Sequence, residues 1–233
     1  MPNFDIVKEY QPKDTFRVNS IINNFDLDIN HLKEHFTGSI DIEDKEWCIG
    51  LIVGGSGTGK TTIAKQVFSD DYITKFSYDD NAIIDNMPKG KSVKEIEHVF
   101  TNVGFSSPPS WLKPYNVLSN GEKMRVDLAR AILEEKELIV FDEFTSVVNR
   151  EVAKTTSLAI NKAIKRLNKK FVAVSCHDDI IEWLQPDWIY NTDTQSFFTQ
   201  WESTTAQESN LKYIGLTQNI KNKYGKYLVS ITI

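Results

Sequence analysis

Short apolar runs alternate along the chain with longer segments in which apolar residues recur at helical spacing. That is the βαβ pattern of an α/β protein with a mostly parallel, buried sheet flanked by helices. The clearest strands are Cys48–Val53, Leu138–Phe141 and Phe171–Cys176, each ending where polar or glycine-rich residues begin. Helices are predicted after Lys60, where Ile63 and Val67 share a face, and over Val93–Val103, Gly121–Glu134 and Arg150–Leu167. The helix at Val93–Val103 lies in a polar stretch from Asp70 to Tyr115 that reads as an inserted helical subdomain, bounded at about residues 70–135. Nearer the N-terminus, Phe16–Phe25 reads as a short amphipathic helix. Gly38–Ile42 alternates as a strand expected to pair with Glu46–Val53, and Trp188–Phe198 as a strand pair turning at Asp193-Thr194-Gln195. Glu202–Asn210 reads as an exposed linker and Tyr227–Ile233 as a strand-like end, so residues 1–201 form the main domain and 202–233 an extension of unassigned role.

Composition narrows the setting. The 233 residues allow one large or two small domains, and 27 Lys+Arg against 32 Asp+Glu leave a net charge of −5. No basic segment leads into an apolar stretch at the N-terminus, and no apolar run approaches the ~18 residues that span a bilayer. Secretion and an integral membrane segment are therefore not expected. Two cysteines, Cys48 and Cys176, cannot form a disulfide framework and point to a reducing, cytoplasmic compartment. An acidic balance gives no global attraction to nucleic acid, so any such contact would be local.

Candidate chemistry begins at Gly54-Gly55-Ser56-Gly57-Thr58-Gly59-Lys60-Thr61, the pattern G-x-x-x-x-G-K-[ST], placed after a predicted strand and opening a helix at Thr61-Thr62. Glycines let backbone N–H groups converge on phosphate oxygens, and the helix N-terminus adds partial positive charge. Lys60 reaches the β- and γ-phosphates, and the Thr61 hydroxyl is a ligand for Mg²⁺. Downstream, Leu138-Ile139-Val140-Phe141-Asp142-Glu143 is a hydrophobic strand ending in two carboxylates. Taken alone this is also a strand that happens to meet an acidic turn; with a phosphate loop upstream the better reading is a Walker B element, in which Asp142 is expected to support Mg²⁺ and Glu143 to polarise an attacking water.

Between these motifs, Leu118-Ser119-Asn120-Gly121-Glu122-Lys123 resembles the LSGGQ signature of ABC ATPases. Taken alone, Ser119 with Glu122 three residues on is equally a capping box. Ser146-Val147-Val148-Asn149 resembles the family's D-loop, and His177-Asp178 after the strand Phe171–Cys176 resembles its switch histidine. The chain is thus similar, over roughly residues 15–200 and in motif order, to the nucleotide-binding domain of ABC-type ATPases within the P-loop NTPases. The resemblance implies N-terminal antiparallel strands, a helical subdomain, ATP and Mg²⁺ as ligands, and a homodimer packed head to tail. Each ATP would lie between the Walker motifs of one copy and Ser119, Gly121 and Asn149 of the other, with Glu143, His177 and Lys60 catalytic.

The chain also departs from the pattern. No glutamine occurs between Gln66 and Gln185, so the family's Q-loop glutamine is missing, and Asp85 is the nearest replacement. Asn149 stands for the usual Asp and Glu122 for Gln. The adenine-stacking aromatic is open between Phe25 and Phe36, and each has a competing reading as core. Trp183 and Trp188 read as packing residues.

A narrower similarity rests on Thr15-Phe16-Arg17-Val18, Phe25-Asp26-Leu27, Ser106-Ser107-Pro108-Pro109-Ser110-Trp111-Leu112 and Glu182-Trp183-Leu184-Gln185-Pro186-Asp187-Trp188. It is to a soluble ABC-type ATPase that in longer chains is fused to a predicted acetyltransferase-like domain. The tail from Glu202 is too short for that second activity. The expected function is ATP hydrolysis by a soluble, non-transporter ATPase acting on a DNA or protein partner. The alternatives are the cytoplasmic ATP-binding subunit of a membrane transporter, or a low-turnover regulatory module.

Overall fold

A computed structural model describes residues 3–27, 33–73, 76–134 and 136–199. The predicted linker at 202–210 and the strand at 227–233 lie outside the described residues. Strand β1 (Asn3–Glu9) leads to helix α1 (Phe16–Phe25), strand β2 (Lys33–Ser39), strand β3 (Ile49–Val53), helix α2 (Lys60–Val67) and the two-residue strand β4 (Tyr72–Ile73). Helices α3 (Val93–Asn102), α4 (Pro108–Trp111) and α5 (Asn120–Leu133) follow, then β5 (Leu138–Phe141), α6 (Arg150–Leu167), β6 (Lys170–Ser175), α7 (Ile180–Leu184), β7 (Trp188–Asn191) and β8 (Ser196–Thr199).

β3 is buried at every position, as an unbroken apolar run requires of a strand covered on both faces. It lies parallel between β6 and β7 in a six-stranded sheet of order β4-β5-β6-β3-β7-β8, and only the edge strand β8 runs antiparallel to its neighbour. Because strand side chains alternate between faces, the sheet feeds two cores. Leu51, Val53, Ile139, Phe141 and Ala173 pack toward the face that buries residues of α3, α5 and α6. Ile52, Val140, Val172 and Val174 pack with Ile63 and Ala64 of α2 and with Phe4, Trp47 and Trp188. Trp188 is fully buried, edge-on to Trp47 and stacked near Phe68, and Trp183 is half-buried beneath the Arg150 guanidinium.

One pairing differs from expectation. The segment Gly38–Ile42 does not form a strand paired with Glu46–Val53. Both edges of β3 are taken by β6 and β7, and β2 pairs instead with β1 in a separate antiparallel ribbon, Phe4 opposite Gly38. Gly38 is the residue that permits this approach: a Cβ there would sit 2.5 Å from the Tyr190 hydroxyl and 2.7 Å from the Phe4 ring. Helix α1 forms where predicted, with Thr15 as its N-cap, yet none of its residues is fully buried. Among the described residues no helix is long and apolar enough to cross a membrane.

Candidate nucleotide-binding site

The carboxyl ends of β3, β5 and β6 open on one edge of the sheet, the edge at which α/β folds bind ligands. From β3 the chain enters the glycine-rich loop at residues 54–59 and then α2. Gly59 lies at φ 85°, in the left-handed region, and a Cβ there would stand 2.4 Å from the Phe36 ring. Only glycine meets both demands. Gly59 is also the N-cap of α2 and provides no side-chain cap, so the first amides of that helix are left for an external anion. Within the loop, Thr58 Oγ1 donates to the Gly55 carbonyl at 2.9 Å and Lys60 Nζ to the same carbonyl at 2.5 Å.

The turn between β7 and β8 fastens this loop to the sheet, which motif reading alone missed. Thr192 N–H donates to the Val53 carbonyl at 2.8 Å, the Thr192 and Thr58 hydroxyls lie 2.6 Å apart, and the Asp193 carboxylate accepts the Gly55 N–H at 3.1 Å. Their signal in the sequence is only that of a turn.

At the end of β5, Asp142 Oδ2 accepts the Thr61 hydroxyl at 2.8 Å and Oδ1 accepts the Glu143 N–H at 2.8 Å. The Tyr72 hydroxyl donates to Oδ2 as well. Burial, and then the hydrogen bond to Asp142, raise the Tyr72 phenol well above its ordinary value, so it keeps its proton to donate. A hydroxyl beside a carboxylate is a hard oxygen set that fits Mg²⁺, which takes few protein ligands and completes its shell with water and phosphate. No group of three or more His, Cys, Asp or Glu suited to a metal occurs among the described residues.

Glu143 follows, exposed and at φ 53°, and buried Thr145 at φ 66°, while Phe144 between them donates its N–H to the Val174 carbonyl at 2.9 Å. Two non-glycine residues in the left-handed region mark a turn held by its surroundings. Thr61, Tyr72, Asp142 and Glu143 line one cleft of about 750 Å³, together with Asn120, Lys123 and Asp127 of α5.

Both readings of the signature-like stretch are compatible with what the single chain does there. Ser119 caps α5 in a full capping box, with Glu122 accepting the Ser119 N–H at 2.9 Å and its hydroxyl at 2.8 Å, and Ser110 donating to Glu122 at 2.8 Å. The Ser119 backbone N–H, followed by the Ser110 and Ser119 hydroxyls, holds the Glu122 carboxyl below its usual range. Ser119 and Asn120 remain exposed, and Gly121 packs under Val152, where a Cβ would make a 3.4 Å contact. Asn149 caps α6 by accepting the Val152 N–H at 2.9 Å. His177 is half-buried after β6, its N–H donating to Ser175 Oγ at 3.1 Å. Ser119, Gly121, Asn149 and His177 are not among the residues lining the cleft that holds Asp142. Asp85 is exposed on a 3₁₀ turn, Ile83–Asn86, and does not line it either.

Facing the cleft, the segment after β4 is tied to α5. The Tyr78 and Tyr115 rings stack at 4.1 Å, and their hydroxyls donate to the two oxygens of Asp127 at 2.7 and 2.8 Å. Burial raises the Asp127 carboxyl above its ordinary value, opposed by the two tyrosine hydrogen bonds. Arg130 lies over the Phe76 and Tyr78 rings and donates to the Ser77 carbonyl at 2.7 Å. Of the two aromatics left open for adenine, Phe36 lies against the loop at Gly59, whereas Phe25 is 67% exposed at the end of α1.

Comparison with known proteins shows what this chain is similar to. The ABC transporter family model matches residues 66–146, a span that holds the signature-like stretch and Asp142-Glu143 and begins just past the phosphate loop. The zinc import ATP-binding protein ZnuC of Ehrlichia chaffeensis is 28% identical over 182 residues, covering 69% of this chain and 75% of its own. Elongation factor 3 of Phytophthora infestans is 26% identical over 216 residues, covering 78% of this chain but 21% of its own, so the chain spans about a fifth of that relative. Among solved structures, the dimeric structure of a bacterial ABC transporter cassette superposes with a TM-score of 0.54 at 16% identity, over 68% of this chain and 87% of that one. Sheet order, motif order and these matches converge on one likeness: the chain is similar in sequence and fold to ABC-type P-loop ATPases.

Proposed function

We propose that ATP binds with its phosphates on the loop Gly54–Thr62 and is hydrolysed between two copies of the chain packed head to tail. The observation that carries this reading is the meeting of Thr61, Asp142 and Glu143 at the mouth of one cleft. Lys60 would leave the Gly55 carbonyl for the terminal phosphates, and Thr61 and Asp142 would hold Mg²⁺, which neutralises charge on the phosphate oxygens. Glu143, exposed and aimed from a constrained turn, orients the attacking water, and His177 contacts the γ-phosphate from the end of β6. Ser119, Gly121 and Asn149, exposed or half-buried at two helix N-termini, supply the partner's side of the sandwich. Phe36 is the better-placed aromatic for adenine. The dimeric state of the structural neighbour supports the sandwich.

Glu143→Gln tests this directly. The variant is expected to bind ATP with Mg²⁺, to accumulate as a dimer in analytical ultracentrifugation, and to lose about a hundredfold or more in turnover, the usual scale for a general base. A strictly monomeric variant at high protein concentration with ATP would overturn the sandwich.

For the partner, the relatives support the transporter alternative better than a soluble setting. Two of those related over most of this chain are a zinc import and a glycerol-3-phosphate import ATP-binding protein. We therefore take energy coupling to a membrane partner as the reading to test first. Co-purification with an integral membrane protein from detergent-solubilised membranes is expected. ATPase activity stimulated by DNA, with no such partner, would return the reading to the soluble class. The free cysteines Cys48 and Cys176 support a reducing, cytoplasmic side for this chain.

A further inference from the structure

We propose that Tyr72 is a positioning residue of the metal site, its hydroxyl fixing the Asp142 carboxylate from the side opposite Glu143; this rests on the reading that Thr61 and Asp142 hold Mg²⁺. An ionised carboxylate offers about four lone-pair sites. At Asp142, Thr61 and Tyr72 occupy Oδ2 and the Glu143 N–H occupies Oδ1. The geometry leaves essentially one acceptor direction, on Oδ1, for a water of the metal shell. Without the phenol, the second Oδ2 site opens and the carboxylate can turn about its Cβ–Cγ bond.

Tyr72 is placed for this by the sheet. It pairs with Val140 in parallel register, two residues before Asp142, so its ring rises beside β5 toward the same edge. The Lys65 ammonium, 5.1 Å from the ring centroid, covers the ring from α2. The chain between Gln66 and Gln185 contains no glutamine. The structure brings the Tyr72 phenol, and not Asp85, to the Asp142 carboxylate from the stretch between the phosphate loop and the signature-like segment. A merely structural tyrosine at a half-buried strand end would satisfy its hydroxyl with water. Here it is spent on a carboxylate of the nucleotide site.

The test is equilibrium binding of a fluorescent ATP analogue titrated with Mg²⁺, without turnover. Tyr72→Phe keeps the ring and is expected to leave binding in EDTA and the melting temperature in EDTA unchanged. The Mg²⁺ concentration for half-maximal binding should rise about tenfold, the scale of a lost hydrogen bond to a charged group. Lys65→Met, which loosens the ring's cover but keeps the hydroxyl, should leave the Mg²⁺ midpoint in place. An unchanged midpoint in Tyr72→Phe overturns the proposal, as do equal shifts in both variants, which would assign the effect to ring packing. Asp142→Asn separates the underlying reading. If it moves the midpoint and Tyr72→Phe does not, only the role of Tyr72 fails; if neither moves it, the metal assignment to Asp142 fails.

Discussion

At Gly59 the absence of one carbon satisfies two constraints at once, a left-handed backbone and the Phe36 ring lying where a Cβ would be. Placing a non-glycine residue in that region costs about 1–2 kcal/mol before any clash. Gly59→Ala is therefore expected to weaken ATP binding at least tenfold in isothermal titration. Adding Phe36→Ala should restore only part of the loss, since it removes the clash and leaves the backbone cost. Full recovery in the double variant would mean the loop tolerates an L-residue there. The loop itself was legible because its letters and its strand-to-helix context are local. Tyr72, Thr192 and Asp193 were not, because they reach the site across 70, 134 and 138 positions of sequence. What brings them there is the sheet order, which places β4 beside β5 and β7 beside β3.

Element boundaries followed local chemistry closely where a cap exists. Helices α1 and α6 occupy the predicted Phe16–Phe25 and Arg150–Leu167, each begun by a polar side chain, Thr15 or Asn149, that accepts an amide of the first turn. The β1–β2 ribbon escaped prediction because its partner choice is non-local and β2 carries no fully buried residue, so its pattern points to no core. The capping box of α5 makes a measurable case. Ser119→Ala should cost about 1 kcal/mol of stability in urea unfolding, the ordinary value of an N-cap. The Glu122 carboxyl titrates lower in the folded chain than in the unfolded one. Its contribution is therefore complete above the ordinary glutamate range and is lost as pH falls through the lowered folded value. Glu122→Gln removes that dependence. Acid unfolding curves from pH 6 downward should fall less steeply for the variant than for the parent chain, and parallel curves would mean the box is open in solution.

For the molecule as a whole, net charge sets a condition on how two copies would meet in the proposed sandwich. Each carries −5, and the ATP the proposed dimer would enclose adds negative charge at the same interface. Two like-charged bodies repel over about a Debye length, roughly 30 Å at 0.01 M salt and 8 Å at 0.15 M. If closure is driven by the short-range contacts of phosphate with loop amides and helix N-termini, those contacts are partly buried and screened much less than the long-range repulsion. ATP-dependent dimerisation of the Glu143→Gln chain should then tighten as NaCl rises from about 0.01 to 0.15 M, with most of the gain in the association rate. Sedimentation velocity across that series, at fixed ATP and Mg²⁺, measures it. A dimer that weakens steadily with salt would instead show that opposite charges on the two surfaces steer closure. Basic residues of α5 such as Lys123, at the wall of the cleft, would then be the first to replace.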